Sequence, residues 1–176
     1  NVAVSTVYRV LLDKIMDNGR GLGQLYTSSE FQIVWNIRLP RVLMGLFVGI
    51  GLSICGTAMQ ALLLNPIADP YILGVSSGAS AGASLALLFP ITIFSGGYQV
   101  TIFAMLGALL SSALVYGMAR MGNGNRIQPV SLLLSGTAVN AMMSAMTSLF
   151  IFLAKSNEGI AAVYYWLMGS IAAAPW

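Results

Sequence analysis

Three long intervals without a charged residue dominate this 176-residue chain. No Lys, Arg, Asp or Glu lies between Arg41 and Asp69 (27 residues), between Asp69 and Arg120 (50 residues) or between Arg126 and Lys155 (28 residues). A helix crossing the hydrocarbon of a bilayer needs about 20 apolar residues at about 1.5 Å each. The intervals therefore hold one, two and one membrane spans. Charged residues make up 7% of the chain and hydrophobic ones 57%, where a soluble domain carries roughly 25% charged residues. So few charges cannot cover an apolar core in water. Water-soluble enzymes, nucleic-acid-binding modules and disordered tails are excluded as classes. The apolar runs are too long, too many and too internal to be read as a signal peptide.

Absences narrow the chemistry further. The sequence has no His, so His-ligated metal or haem sites and His acid–base chemistry drop out. Cys55 is the single cysteine, which leaves no internal disulfide and no Cys cluster. It reads as a small apolar helix residue. No Gly-x-x-x-x-Gly-Lys-[Ser/Thr] phosphate loop occurs. No pair of carboxylates lies within the spans, so acid–base catalysis and proton relay have no residues to work with. No catalytic residue, cofactor or metal ligand is expected, and the chain is not expected to be an enzyme. The net charge of +3 is spread over loops, which gives no nucleic-acid patch.

The pattern predicts an all-α, polytopic membrane protein. Residues 1–41 are the polar part. They are expected to form an extramembrane connection with interfacial helices lying against the bilayer. Val7, Val10, Leu11 and Met16 allow a short amphipathic helix, broken at Asn18-Gly19. Thr27-Ser28-Ser29-Glu30 looks like a second helix start, and Trp35 suits the membrane–water interface. Residues 42–176 form the transmembrane portion, with spans at about 42–64, 71–89, 99–119 and 129–153. Pro40 fits the first turn of the first span. Asn65-Pro66-Ile67-Ala68-Asp69-Pro70 holds two prolines four apart, which one regular helix cannot contain. It reads as a tight turn, with Asp69 as N-cap and Pro70 at the first helical position.

Small residues recur along the spans. Gly45 and Gly49 make a Gly-x-x-x-Gly pair, and Gly74, Gly78, Gly82 and Ala86 form a stripe at four-residue spacing. Gly107 with Ser111 makes another small pair. In lipid such residues let helix backbones approach closely, so Gly45, Gly49, Gly74, Gly78 and Gly82 are expected to pack helices. Gln60 and Asn140 lie within spans, where an amide needs a protein or water partner. They fit either interhelical hydrogen bonding or the wall of a polar path. Asn65 sits where the chain breaks between spans, a place for lining a passage.

The stretch Arg38-Leu39-Pro40-Arg41, Gly45, Gly49, Gly56, Met59-Gln60, Asn65-Pro66-Ile67-Ala68-Asp69-Pro70, Leu73-Gly74-Val75, Gly78-Ala79 resembles the FecCD-type permeases of bacterial ABC importers for iron–siderophore, haem and vitamin B12. Leu134-Ser135-Gly136 and Trp166-Leu167-Met168-Gly169-Ser170 are similar to that family too. Ile67 stands where the family usually has Leu, a conservative departure. The resemblance implies a ten-span permease fold of about twice this length, of which the chain is expected to be a four-span fragment.

The resemblance also implies a function. Two permease subunits, identical or different, form a central path in the cell membrane. Separate cytoplasmic ATPase subunits drive it, and an extracytoplasmic substrate-binding protein delivers the cargo. A ferric-siderophore-type iron complex is the expected cargo, with haem and vitamin B12 as alternatives that these motifs do not separate. A membrane scaffold or assembly protein is a reading of a different class; it would share the small-residue stripes but has no use for Asn-Pro-x-Ala-Asp-Pro. Asn65, Pro66 and Ile67 fall at the cytoplasmic end of the family's path and the loop from Arg120 to Pro129 lies on the same side, so both are gate candidates; with the intramembrane amides Gln60 and Asn140, the residues Asn65, Pro66 and Ile67 are the candidates for path or gate. Charge bias points the other way. Six Lys and Arg (Arg9, Lys14, Arg20, Arg38, Arg41, Lys155) oppose two (Arg120, Arg126), which alone would place residues 1–41 in the cytoplasm. The family topology places them outside and is followed, because a fragment gives an incomplete charge count.

Overall fold

A computed structural model describes residues 2–16, 28–89, 98–121 and 128–172. The expected helix break at Asn18-Gly19, the helix stop at Pro90, the connection at 95–97 and most of the loop from Arg120 to Pro129 lie outside the described residues. What is described is helical, and no strand occurs among the described residues. The elements are α1 (Val4–Met16), α2 (Ser28–Phe31), a π-helical segment (Gln32–Arg38), α3 (Leu39–Leu63), a 3₁₀ turn (Pro70–Leu73), α4 (Val75–Leu88), α5 (Gln99–Met121), α6 (Pro129–Leu153) and α7 (Asn157–Met168). Among the described residues three helical stretches are long and apolar enough to cross a membrane: Ser29–Leu63, Gln99–Met121 and Pro129–Leu153. The fourth apolar helix, Val75–Leu88, is shorter. Its 14 residues span about 21 Å, and the 3₁₀ turn before it adds at most about 8 Å.

The chain divides into two compact units, Asn1–Leu52 with Ser170–Trp176, and Ser53–Gly169; the division falls within α3. In the first unit α1 packs on the π-helical segment, and Val10, Val34 and Pro40 are buried among its described residues. The Lys14 ammonium sits 5.9 Å from the centre of the Trp35 ring, a cation–π distance. Phe31 stacks on the same indole with centroids 6.4 Å apart. The helix does not begin at Pro40. It runs through the proline after a wider turn in which the Leu39 N–H donates to the Val34 carbonyl, five residues back. A proline ring collides with the carbonyl four residues before it in an α-helix. A π turn just upstream displaces that carbonyl and lets the helix continue.

The second unit is a packed group of helices. Met59, Leu63, Ala68, Ala81, Val115, Ala119, Leu132, Val139 and Met143 form its buried cluster. Five of the nine are Ala or Val, and the helices approach through small residues. A methyl added at Gly78 would overlap the Gly107 carbonyl oxygen, and one at Gly107 would overlap that of Gly78. One at Gly82 would overlap the Phe103 carbonyl oxygen, and one at Gly136 that of Ile72. Lipid offers apolar side chains no incentive to hide, so such backbone-to-backbone contact supplies the dispersion that holds these helices together. Helix α7 rests on α4, with Val163 buried. Phe89 meets Phe150 edge to face at 5.9 Å. In the first unit Gly45 lies only in ordinary contact with Ile171, 3.9 Å from its Cδ1, and a Cβ at Gly49 would meet nothing within 4 Å.

Candidate functional site

The candidates Asn65, Pro66 and Ile67 lie between α3 and the 3₁₀ turn. Helix α3 ends at Leu63, and Leu64 takes a left-handed conformation at φ 51°. The Asn65 N–H then donates to the Gln60 carbonyl at 3.1 Å. This bond, five residues back, closes the helix end in the way usually made with glycine at the left-handed position. Leucine there bears a steric penalty of about 1 kcal/mol.

The next four residues make a closed turn. The Ala68 N–H donates to the Asn65 carbonyl at 3.1 Å, with Pro66 at the second position, where its fixed φ fits. The Ile67 N–H donates to the Asn65 side-chain Oδ1 at 3.1 Å. Asn65 therefore holds the turn with both of its carbonyl oxygens. Ala68 tucks into the core, while Ile67 stands 86% exposed at the apex beside exposed Asn65 and Pro66. Asp69 then accepts the Tyr71 N–H at 2.9 Å and caps the next element, with Pro70 at its first position. That element is a single 3₁₀ turn of four residues, where the sequence predicts the start of a regular span.

The 3₁₀ turn stops at Gly74, which is left-handed at φ 65° and from which α4 departs. The Gly74 carbonyl accepts three donors: the Ser111 hydroxyl at 2.7 Å, the Ser77 hydroxyl at 2.9 Å and the Gly78 N–H at 2.9 Å. The Ser111 bond is buried and joins α5 to the break. Sequence reading takes Ser111 as a small packing residue and Gly74 as one step of a stripe. The missed signal is a hydroxyl at a small position opposite a Leu-Gly step.

Gln60 lies on the last turns of α3 and Asn140 midway along α6; both side chains are exposed. Thr137, Ser144 and Ser148 on α6 are exposed as well. Thr137 donates to the Leu134 carbonyl, and Ser148 to that of Ser144. Such hydroxyls are satisfied within their own helix. The amides carry more hydrogen-bonding capacity than a helix backbone can meet, and hydrocarbon would leave the rest unmet. Among the described residues no group of three or more His, Cys, Asp or Glu comes together that could hold a metal. The arrangement offers uncharged polar side chains, backbone carbonyls and a break between helices.

A multi-pass helical protein of the cell membrane, closely packed through glycine and broken at 64–74, is the class these features define. The FecCD transport family matches residues 1–176, and the chain belongs to it. It is 40% identical over 149 residues to the Fe(3+)-citrate import system permease protein YfmD of Bacillus subtilis, covering 85% of this chain and 42% of that protein. It is 35% identical over 160 residues to the hemin transport system permease protein HmuU of Yersinia pestis, covering 89% and 47%. The chain thus spans about half the length of the relatives it matches. Among solved structures it superposes on a metal-chelate type ABC transporter in an inward-facing conformation. The TM-score is 0.73 at 27% identity, covering 98% of this chain and 54% of the other.

Proposed function

We propose that this chain is part of the permease subunit of a binding-protein-dependent ABC importer and that a ferric-siderophore-type complex is its cargo. The observation that carries the reading is the turn at 65–68. An exposed, uncharged segment is placed between two apolar helices and built on local hydrogen bonds. A bulky polar chelate needs a wide passage with uncharged walls, and it needs breaks in the helices where the passage opens and closes. Asn65, Pro66 and Ile67 act as the gate segment, and Gln60 and Asn140 line the path. Gly45 and Gly49 offer room for a further helix of the assembled permease. Cytoplasmic ATPase subunits supply the work, a second permease subunit completes the path, and an extracytoplasmic binding protein selects the cargo. Likeness to the iron-citrate permease supports an iron chelate. Likeness to the hemin permease supports haem as the second reading.

The test is reconstitution of the full-length subunit with its ATPase and binding protein in lipid vesicles. ATP-dependent uptake of a radiolabelled ferric siderophore is the expected result. Uptake of haem or of vitamin B12 alone would move the cargo to those classes. No ATP-dependent uptake of any of the three would remove the importer reading.

A further inference from the structure

We propose that Ser111 is a positioning residue: its hydroxyl latches the break at Gly74 and so fixes the far end of the 65–69 segment. This rests on the gate reading of that segment and extends it to a residue 37 positions away in sequence. A carbonyl oxygen has two lone pairs, yet Gly74 receives three donors. Two of them, Ser77 and Gly78, belong to α4 itself and would follow α4 in any movement. Only Ser111 reaches across from α5, and it is fully buried. It is therefore the one of the three that ties the break to a different helix.

The surroundings leave the break little freedom. Gly136 on α6 lies against the Ile72 carbonyl, and a Cβ at Gly74 would come within 3.0 Å of the Ser111 hydroxyl and 3.5 Å of the Asn140 backbone nitrogen. Residues 70–74 are thus gripped by α5 and α6. Upstream the picture is different. Leu64 is strained and 86% exposed, and Asn65, Pro66 and Ile67 are exposed, held by the Asn65–Gln60 backbone bond at the end of α3 and by two bonds within the segment. A segment anchored at one end and strained at the other moves about the strained end. The Ser111 latch sets where the moving part stops, so that displacement of Ile67 does not run on into α4.

The experiment uses the full-length assembled complex carrying Ile67→Cys on a background in which Cys55 is replaced by Ser. Ser111→Ala is compared with Ser112→Ala. Ser112 lies one residue along and donates only to the Ala108 carbonyl of its own helix. The readouts are the rate of thiol labelling at position 67 without nucleotide and the ATP hydrolysed per cargo imported. Ser111→Ala is expected to change the labelling rate about threefold or more and to raise ATP use per cargo, at unchanged assembled yield. Ser112→Ala leaves both as they were. Equal behaviour of the two variants overturns the latch.

Hydrogen–deuterium exchange of the unmodified complex settles the matter if Ser111→Ala does not assemble. Amides of 72–78 are expected to exchange at least tenfold more slowly than those of 65–68, and equal rates overturn the proposal. Labelling and exchange need neither cargo nor ATP. Failure of the latch is therefore distinguishable from failure of the importer reading, which shows as absent uptake in the unmodified complex.

Discussion

Gly78 of α4 and Gly107 of α5 face each other so closely that a methyl group on either would overlap the carbonyl oxygen of its partner. The relation is reciprocal, so neither helix can yield by turning a flexible side chain aside. What would have to move is backbone. The contact explains why α4 and α5 pack with so few large buried side chains, and it places the greatest sensitivity to added volume here.

Gly78→Leu is expected to prevent α4 from seating on α5 and to lower the yield of folded protein severely. Gly78→Ala separates the helices enough to cost about 2–3 kcal/mol. Thermal unfolding of the detergent-solubilised protein, with yield from size-exclusion chromatography, checks both. Normal assembly of Gly78→Leu would refute the close contact.

Two other glycines separate crowding from helix propensity. A methyl at Gly136 would overlap the Ile72 carbonyl, whereas one at Gly117 would meet nothing within 4 Å. Gly136→Ala is therefore expected to destabilise by about 2 kcal/mol. Gly117→Ala replaces a poor helix former without crowding and is expected to stabilise by about 0.5–1 kcal/mol. Opposite signs in the same unfolding assay are the expected result; a loss in both would mean that the space at Gly117 is filled by another helix.

Leu64 provides a stabilising change. Its φ of 51° is one that glycine adopts without penalty and leucine does not. The side chain is 86% exposed, so its removal leaves no cavity. Leu64→Gly is expected to raise stability by about 1 kcal/mol through relief of that strain. An unchanged or lowered midpoint of unfolding would show that the loop relaxes at no cost. Transport offers a second readout, since removing strain at the pivot end of the segment is expected to slow its switching.

What could be read in the sequence follows the range of each interaction. The uncharged intervals define where the helices lie because hydrocarbon tolerates almost no charge along a whole span. Asp69 before Pro70 is a local signal, and a cap is what stands there. The break at Gly74 is not local. A Leu-Gly step inside an apolar run reads as continued helix until the left-handed Gly74 and the Ser111 hydroxyl bonded to its carbonyl from 37 residues on are seen. Leu64 gives no warning either, since leucine carries no turn preference and the closing bond from Asn65 to Gln60 imposes its conformation. Pro40 misleads for a related reason: a proline reads as a helix start, and only the π turn before it shows that the helix runs through.

The sharpest contrast lies between Asn65 and Ser84. Asn65 is exposed, and its side-chain oxygen holds the Ile67 N–H. Asn65→Ala removes the one side-chain bond that shapes the apex among the described residues and leaves the Asn65–Ala68 backbone turn in place. The loop is expected to persist but to sample more conformations, and ATP use per cargo in the full-length complex to rise several-fold. Ser84 is 1% exposed on α4, and its hydroxyl has no hydrogen-bond partner among the described residues. Replacing a buried, unsatisfied hydroxyl with a methyl removes a desolvation penalty and is neutral or stabilising by about 1 kcal/mol. Ser84→Ala is therefore expected to transport normally and to unfold at the same temperature or slightly higher. Equal, near-normal uptake for both variants would take Asn65 out of the gate. A strong loss in Ser84→Ala would mean that its hydroxyl is matched in the assembled permease by a group outside the described residues.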